Sequence, residues 1–322
     1  MSTSYINLAQ IRLGATVVDA TDDFFADKAR LISPEPPVFI PGKYDDNGKW
    51  MDGWESRRKR VPGHDYCTIK LGSLGRVAAI EIDTSHFTGN FPPFASVEAC
   101  VCNDEIPGDT ANWQEVLAKT ELQGDSTARF DVTQPGPFTH IRLHIYPDGG
   151  VARLRVFGEI DRDWSQFDPS KELDLAALVM GGRPLGCNDA HFGQPENMIA
   201  PGRGVNMGDG WETRRRREPG HDWAVLALAH PGMIHRVLLD TRHFKGNYPD
   251  RFFLQGASCT GLTDQQILEQ AESWTTILEP QKLSADHEHE FELSMDQPIS
   301  HVRLNIIPDG GVSRLRLFGY IA

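Results

Sequence analysis

The sequence predicts an all-β protein made of two tandem jelly-roll β-sandwich domains with short helices in the loops. The chain repeats itself at domain scale: residues 52–66, DGWESRRKRVPGHDY, match residues 209–223, DGWETRRRREPGHDW, in 11 of 15 positions. Within a repeat, apolar and polar residues alternate, as where Ile141, Leu143 and Ile145 interleave with Arg142, His144 and Tyr146, the period of a half-buried strand. The 30 glycines and 21 prolines break the chain into many short segments, which suits a sandwich better than a helical fold.

The copies keep register over most of their length. Residues 82–92, IDTSHFTGNFP, match residues 239–249, LDTRHFKGNYP, at an offset of 157. Residues 139–160 match residues 300–321 at an offset of 161, so the second copy gains four residues after Pro92 and before Trp113 in first-copy numbering. A weaker match aligns residues 22–32 with 189–199. Each unit is too long for a solenoid repeat. The expected domains are 1–165 and 166–322, meeting in the polar stretch 161–171.

Taken in order, residues 68–71 and 77–82 read as strands flanking a turn at 72–75, hence a hairpin. Helical segments are expected at 113–119 and 265–274. The strand around 141–145, the Pro147-Asp148-Gly149-Gly150 turn and the strand 151–158 read as a second hairpin, with Arg142 and His144 sharing a polar face with Arg153 and Arg155. Residues 286–290 read as a charged strand edge. The first hairpin has a consequence. His64 and Asp65 precede one strand and residues 83–90 follow its partner, so these two polar motifs should meet at one end of the sandwich, where loops commonly carry function.

A net charge of −13 argues against nucleic acid or an anionic membrane surface as partner, because both need a positive field. The basic runs Arg57-Arg58-Lys59-Arg60 and Arg214-Arg215-Arg216-Arg217 stand against that background. No signal segment or membrane-length apolar run is visible. Five cysteines, none in a C-x-x-C pair, read as reduced thiols of a cytoplasmic protein.

The polar motifs supply the candidate chemistry. Trp54 and Trp211 read as core residues beside a charge run. Glu55 and Glu212 are either salt-bridge partners of the arginines or site residues. Arg57, Arg58 and Arg60, with Arg214, Arg215 and Arg217, offer planar forks for a small carboxylate. Pro62-Gly63 turns the chain and delivers His64 and Asp65. Asp83, His86 and Asn90 sit in D-T-x-H-F-x-G-N, which reads either as a site loop or as a network of Asx turns. His64, Asp65, Asp83 and His86 are acceptable ligand types for a divalent ion, yet no high-specificity metal spacing, P-loop, dinucleotide fingerprint or nucleophile elbow occurs. No cofactor is therefore assigned, and the metal question stays open.

The combination D-G-W-E-[ST]-R-R-x-R-x-P-G-H-D, then D-T-x-H-F-x-G-N, then P-D-G-G-V-x-R-L-R resembles the allantoicase family along the whole chain, duplication included. The resemblance implies jelly-roll domains similar to galactose-binding-like modules and conversion of allantoate to ureidoglycolate and urea. Allantoate carries one carboxylate and two ureido groups on one carbon, so urea release needs a proton for the leaving nitrogen and an activated water. A histidine beside a carboxylate suits that work. The expected roles are His64 or His86 as acid and base, Asp65 or Asp83 orienting them, Arg57, Arg58 or Arg60 on the carboxylate, and Asn90 on a ureido arm. His221, Asp222, Asp240, His243 and Asn247 offer the same set in the second copy. The copies differ where His144 and Tyr146 become Asn305 and Ile307, and where Ser85 and Thr88 become Arg242 and Lys245. A homo-oligomer is the expected assembly. The rival readings are a non-catalytic, carbohydrate-type binding sandwich and a metal hydrolase of another ureido compound.

Overall fold

One unusually long strand organises each unit of the computed structural model, which describes residues 5–108, 110–132 and 134–322. The units comprise Tyr5–Asp161 and Arg162–Ala322. In the first, Asp65–Asp83 is a single strand. Its N-terminal half lies between Thr16–Ala20 and Phe138–Tyr146, beyond which come Phe94–Cys100 and then Gln114–Glu121. Its C-terminal half lies between Arg153–Ile160 and Thr127–Asp131, with Ile6–Asn7 outside Arg153–Ile160. The strand thus leaves one layer of a β-sandwich and continues in the other. In the second unit Asp222–Asp240 does the same, flanked by Arg183–Cys187 and Ile299–Ile307, then by Arg314–Ile321 and Glu288–Glu292. The inward residues of the strands make the core: Ile141, Leu143, Ile145, Leu154 and Val156 are all fully buried.

Both expected hairpins are corrected by this pairing. Residues 72–75 form a corner between layers, not a turn. A Cβ on Gly72 would stand 2.3 Å from the Leu13 carbonyl oxygen, and one on Gly75 would stand 2.6 Å from a Leu8 methyl. These glycines let neighbouring chain approach the strand. Residues 147–152 likewise cross between layers, because Phe138–Tyr146 and Arg153–Ile160 each pair with a different half of the long strand. The expected polar face joining Arg142 and His144 to Arg153 and Arg155 therefore does not form.

Convergence of the two motifs survives, by another route. The Asp65 amide donates to the Pro147 carbonyl at 3.1 Å, and the Ala152 amide donates to the Asp83 carbonyl at 2.7 Å. Both ends of the long strand are tied to the same short crossing.

The helix expected at 113–119 is instead the strand Gln114–Glu121, paired with Phe94–Cys100. Its Gln, Glu, Leu, Ala and Lys favour helix locally, but an open sheet edge overrides that preference. The other helix forms as Asp264–Gln270, capped by Thr263 and Gln266 in a capping box and followed by a 3-10 turn at Ala271–Ser273. The four extra residues of the second copy lie in this stretch. Trp54 and Trp211 are fully buried, their indole N–H groups donating to the Asp22 and Asp189 carbonyls at 2.8 Å. Residues 288–292 form a strand of alternating exposure, Glu288–Glu292, at the margin of the second unit's sheet. All five cysteines are free.

Candidate active site

Glu55 is held from both sides. Its backbone bridges to Ala26 on one side and pairs with Gly150 on the other. The crossing approaches so closely because it is Gly-Gly. Gly149 has φ of +140°, and a Cβ there would sit 2.8 Å from the Asn90 carbonyl oxygen, while one on Gly150 would sit 1.9 Å from the buried ring of Phe87. The Gly150 amide then donates to the Asn90 carbonyl at 2.7 Å. Three segments far apart in sequence meet here: the DGWE strand, the loop after Asp83 and the Pro-Asp-Gly-Gly crossing.

Between them lies a cleft of about 440 Å³, lined among others by Phe25, Glu55, Arg58, Asn90, Phe91 and Asp148. The Asn90 amide donates to the Glu55 carboxylate at 2.7 Å. Burial pushes the Glu55 carboxyl above its ordinary value, a push only partly countered by the Asn90 hydrogen bond and by Lys49. Arg58 is exposed to the cleft and makes no ion pair among the described residues. Its placement comes from the backbone of the next residue, Lys59, whose amide donates to the Asp148 carboxylate at 2.7 Å. The second unit repeats the arrangement in a cleft of about 580 Å³ lined by Phe192, Glu212, Arg215, Asn247, Tyr248 and Asp309. There Asn247 donates to Glu212, and the Arg216 amide donates to Asp309 at 2.8 Å.

The other sequence candidates lie outside the first cleft's wall. Arg57 pairs with Asp22 at 2.6 Å and Arg214 with Asp189 at 3.0 Å, so both pin the loop before the DGWE strand. Arg60 is exposed, and Arg217 lines a shallower basic groove with Arg214, Arg215 and Glu218. Asp65 is fully buried, accepting from the Thr21 hydroxyl at 2.7 Å and paired with Lys59. Asp222 is held by Arg216 and Asn188 at 2.8 and 2.9 Å. Asp83 accepts the Ser85 amide at 2.7 Å, which is an Asx turn. Asp240 accepts the Arg242 amide at 2.8 Å and pairs with Arg203 at 3.2 Å. His86 and His243 adopt left-handed φ of 70° and 73°. Their Nε2 atoms meet the Pro37 and Gly204 carbonyls at 3.2 and 2.9 Å, so the rings are turned to backbone oxygens. His64 meets the His144 ring at 2.9 Å, and His221 meets the Asn305 carbonyl oxygen at 3.0 Å.

Several residues of the site escape sequence reasoning. Asp148 and Asp309 read as turn formers, and Lys59 and Arg216 disappear within the basic runs, although their recurrence in both copies was the available signal. Glu98, whose carboxylate meets His144 Nε2 at 3.0 Å, carries no motif at all. Among the described residues, no group of three or more His, Cys, Asp or Glu could hold a metal ion. His64, Asp65, Asp83 and His86 point to separate partners and do not form a donor set.

Fold and cleft define a tandem β-sandwich protein whose candidate site presents a desolvated carboxyl, an amide and a guanidinium with no ion pair among the described residues. A family model described as allantoicase repeat matches residues 6–161 and again 173–322. A protein of Burkholderia mallei (strain ATCC 23344) named probable allantoicase 1 is 55% identical over 317 residues, covering 98% of this chain and 94% of that one. A probable allantoicase of Photobacterium profundum is 55% identical over 318 residues, covering 98% and 96%. The crystal structure of allantoicase from Saccharomyces cerevisiae superposes with a TM-score of 0.84 at 35% identity, over 99% of this chain and 94% of that one. The chain belongs to the allantoicase family and is a hydrolase of allantoin degradation. No helix of the described residues is long and apolar enough to cross a membrane.

Proposed function

We propose that this chain hydrolyses allantoate to ureidoglycolate and urea, and that the substrate is held in the Glu55–Arg58–Asn90 cleft and its counterpart. The observation that carries this reading is the cleft itself, built twice from Glu, Arg, Asn and Asp at matching positions. Arg58, which has no carboxylate partner among the described residues, takes the substrate carboxylate in a two-pronged contact. Asn90 uses one amide N–H on Glu55, leaving its carbonyl oxygen to accept a ureido N–H. Glu55, its proton affinity raised by burial, delivers a proton to the ureido nitrogen as the bond from that nitrogen to the central carbon breaks. Water attacks the same carbon and gives up a proton. The products are urea and the hydroxyl-bearing ureidoglycolate, and atoms balance.

The test is urea release from allantoate by the purified chain, with Glu55→Gln and Arg58→Ala alongside. Saturable release that falls at least tenfold in each variant supports the reading. Binding of allantoate with no urea would make the protein a ligand-binding sandwich and overturn it.

A further inference from the structure

Hydrolysis needs a base for the attacking water, and the two units differ in the residues behind a histidine they share, His64 and His221. In the first unit the Glu98 carboxylate, which can only accept, meets His144 Nε2 at 3.0 Å. His144 Nε2 is therefore the protonated nitrogen and its Nδ1 the acceptor. His64 Nε2 donates to that Nδ1 at 2.9 Å, and the His64 Nδ1 lone pair has no partner among the described residues. The His64 ring packs 4.5 Å from Tyr146, and Tyr146 is fixed by Ser96 at 2.9 Å. Lys119 lies over the same Tyr146 ring at 4.2 Å and over Phe94 at 5.1 Å. Tyr146 and Phe94 directly adjoin Pro147 and Pro93, two residues of the cleft wall.

The second unit has the same chain of contacts in neutral form. The Gln255 amide donates to the Glu272 and Trp274 carbonyls at 3.0 and 2.9 Å, so its oxygen accepts from Asn305 at 3.1 Å. The Asn305 oxygen in turn accepts from His221 at 3.0 Å. His221 is oriented as His64 is, but the chain behind it consists of neutral amides, which hold a hydrogen bond and bring no negative charge to stabilise an imidazolium.

We propose that proton transfer is confined to the first repeat, where Glu98 and His144 position and polarise His64 as the base beside the cleft, while the second repeat keeps the cleft without the relay. This rests on the allantoate reading for the identity of the reaction. His64 Nδ1 takes the proton of the attacking water as Glu55 protonates the departing urea nitrogen. The imidazolium keeps its Nε2–H on His144, whose own Nε2–H remains on Glu98, so the new charge faces a carboxylate through one ring. Transfer of the proton to Glu55 after urea leaves restores both groups. Burial lowers His64 and His144 from the ordinary histidine value, which favours the unprotonated base at neutral pH. The charged groups bearing on this pair are Lys59, Lys119 and Arg142, which disfavour the imidazolium, and Asp65 and Glu98, which favour it.

The test replaces the relay by the second repeat's own residues, Glu98→Gln with His144→Asn, a combination this fold already accommodates. Glu98→Gln and Glu98→Asp are compared singly. Urea release is followed across pH, and ring ¹⁵N shifts of His64 are titrated in the same proteins. The expected result is a fall in kcat of about tenfold to a hundredfold with KM little changed. In Glu98→Gln the His64 midpoint and the acidic limb of kcat/KM should move to lower pH, because a favourable negative charge is gone. Glu98→Asp should restore part of both. Folded variants with wild-type kcat and an unmoved His64 midpoint would overturn the proposal. If wild-type protein releases no urea from allantoate, the substrate reading fails, and the His64 titration alone decides the relay: a shift in Glu98→Gln supports it, and no shift overturns it.

Discussion

The Asn90 side-chain amide donates to the Glu55 carboxylate at 2.7 Å, joining two segments 35 residues apart in the chain. Asn247 and Glu212 make the same contact in the second unit. In the mechanism proposed for the first unit, Glu55 carries the proton and Asn90 steadies it.

Asn90→Ala removes the hydrogen bond that partly offsets burial of the Glu55 carboxyl. The Glu55 carboxyl should then rise further. If Glu55 is the proposed acid, acting in its protonated form, the alkaline limb of the kcat/KM profile governed by it should move to higher pH. At the same time kcat should fall about tenfold or more as the ureido contact is lost. A pH series of urea release checks both, and an unmoved limb would contradict the assigned contact.

Neighbouring arginines should behave differently. Arg58→Ala is expected to raise KM for allantoate roughly tenfold to a hundredfold, and Arg58→Lys to recover only part of this, since a lysine lacks the planar fork. Arg57 instead pairs with Asp22 while largely exposed, so Arg57→Ala should cost no more than about 1 kcal/mol of stability. Steady-state kinetics and thermal unfolding of the three variants separate the cases.

The crossing should be intolerant of side chains. Gly150→Ala would drive a methyl into the Phe87 ring, and at least about 2 kcal/mol of destabilisation is expected from overpacking. Phe87→Leu in the same chain should recover part of it. Denaturant unfolding of the single and double variants measures the coupling, and simple additivity would contradict the contact.

His301 gives the chain an acid-sensitive core. Burial, then Arg183, lowers its pKa to about 4, with Asp264 opposing. A histidine depressed in the folded state contributes stability that is complete above its unfolded value, near 6.5. That stability is lost as pH falls toward the folded value. The loss between about pH 6.5 and 4 amounts to roughly 3 kcal/mol. His301→Gln should flatten stability against pH over this window, as read by denaturant midpoints.

Much of the fold was legible because repetition and alternation are local properties. The offset of 157 marked equivalent positions, and the alternation at 141–146 marked a strand with one buried face. The glycine pairs were not legible in the same way. Gly72 and Gly75 look like turn residues, yet they serve close approach by Leu13 and Leu8, contacts more than fifty residues away in sequence. The helix expected at 113–119 failed for a related reason, since the vacant edge beside Phe94–Cys100 is invisible from the segment that fills it.

The site divides along the same line. Glu55, Arg58 and Asn90 stood among the sequence candidates because charged and amide residues recur in both copies. Which arginine is free and which is paired depends on Asp22 and Asp148, and those partners are fixed only when the crossing closes. The link runs from His64, just before the long strand, through His144 and Glu98 on two neighbouring strands, and leaves no spacing to find. Duplication, strand-rich class, family resemblance and the pool of polar residues are all properties of the linear chain and could be read from it. Which of those residues share a cleft could not, because burial and hydrogen-bond partnership depend on segments that meet only after folding.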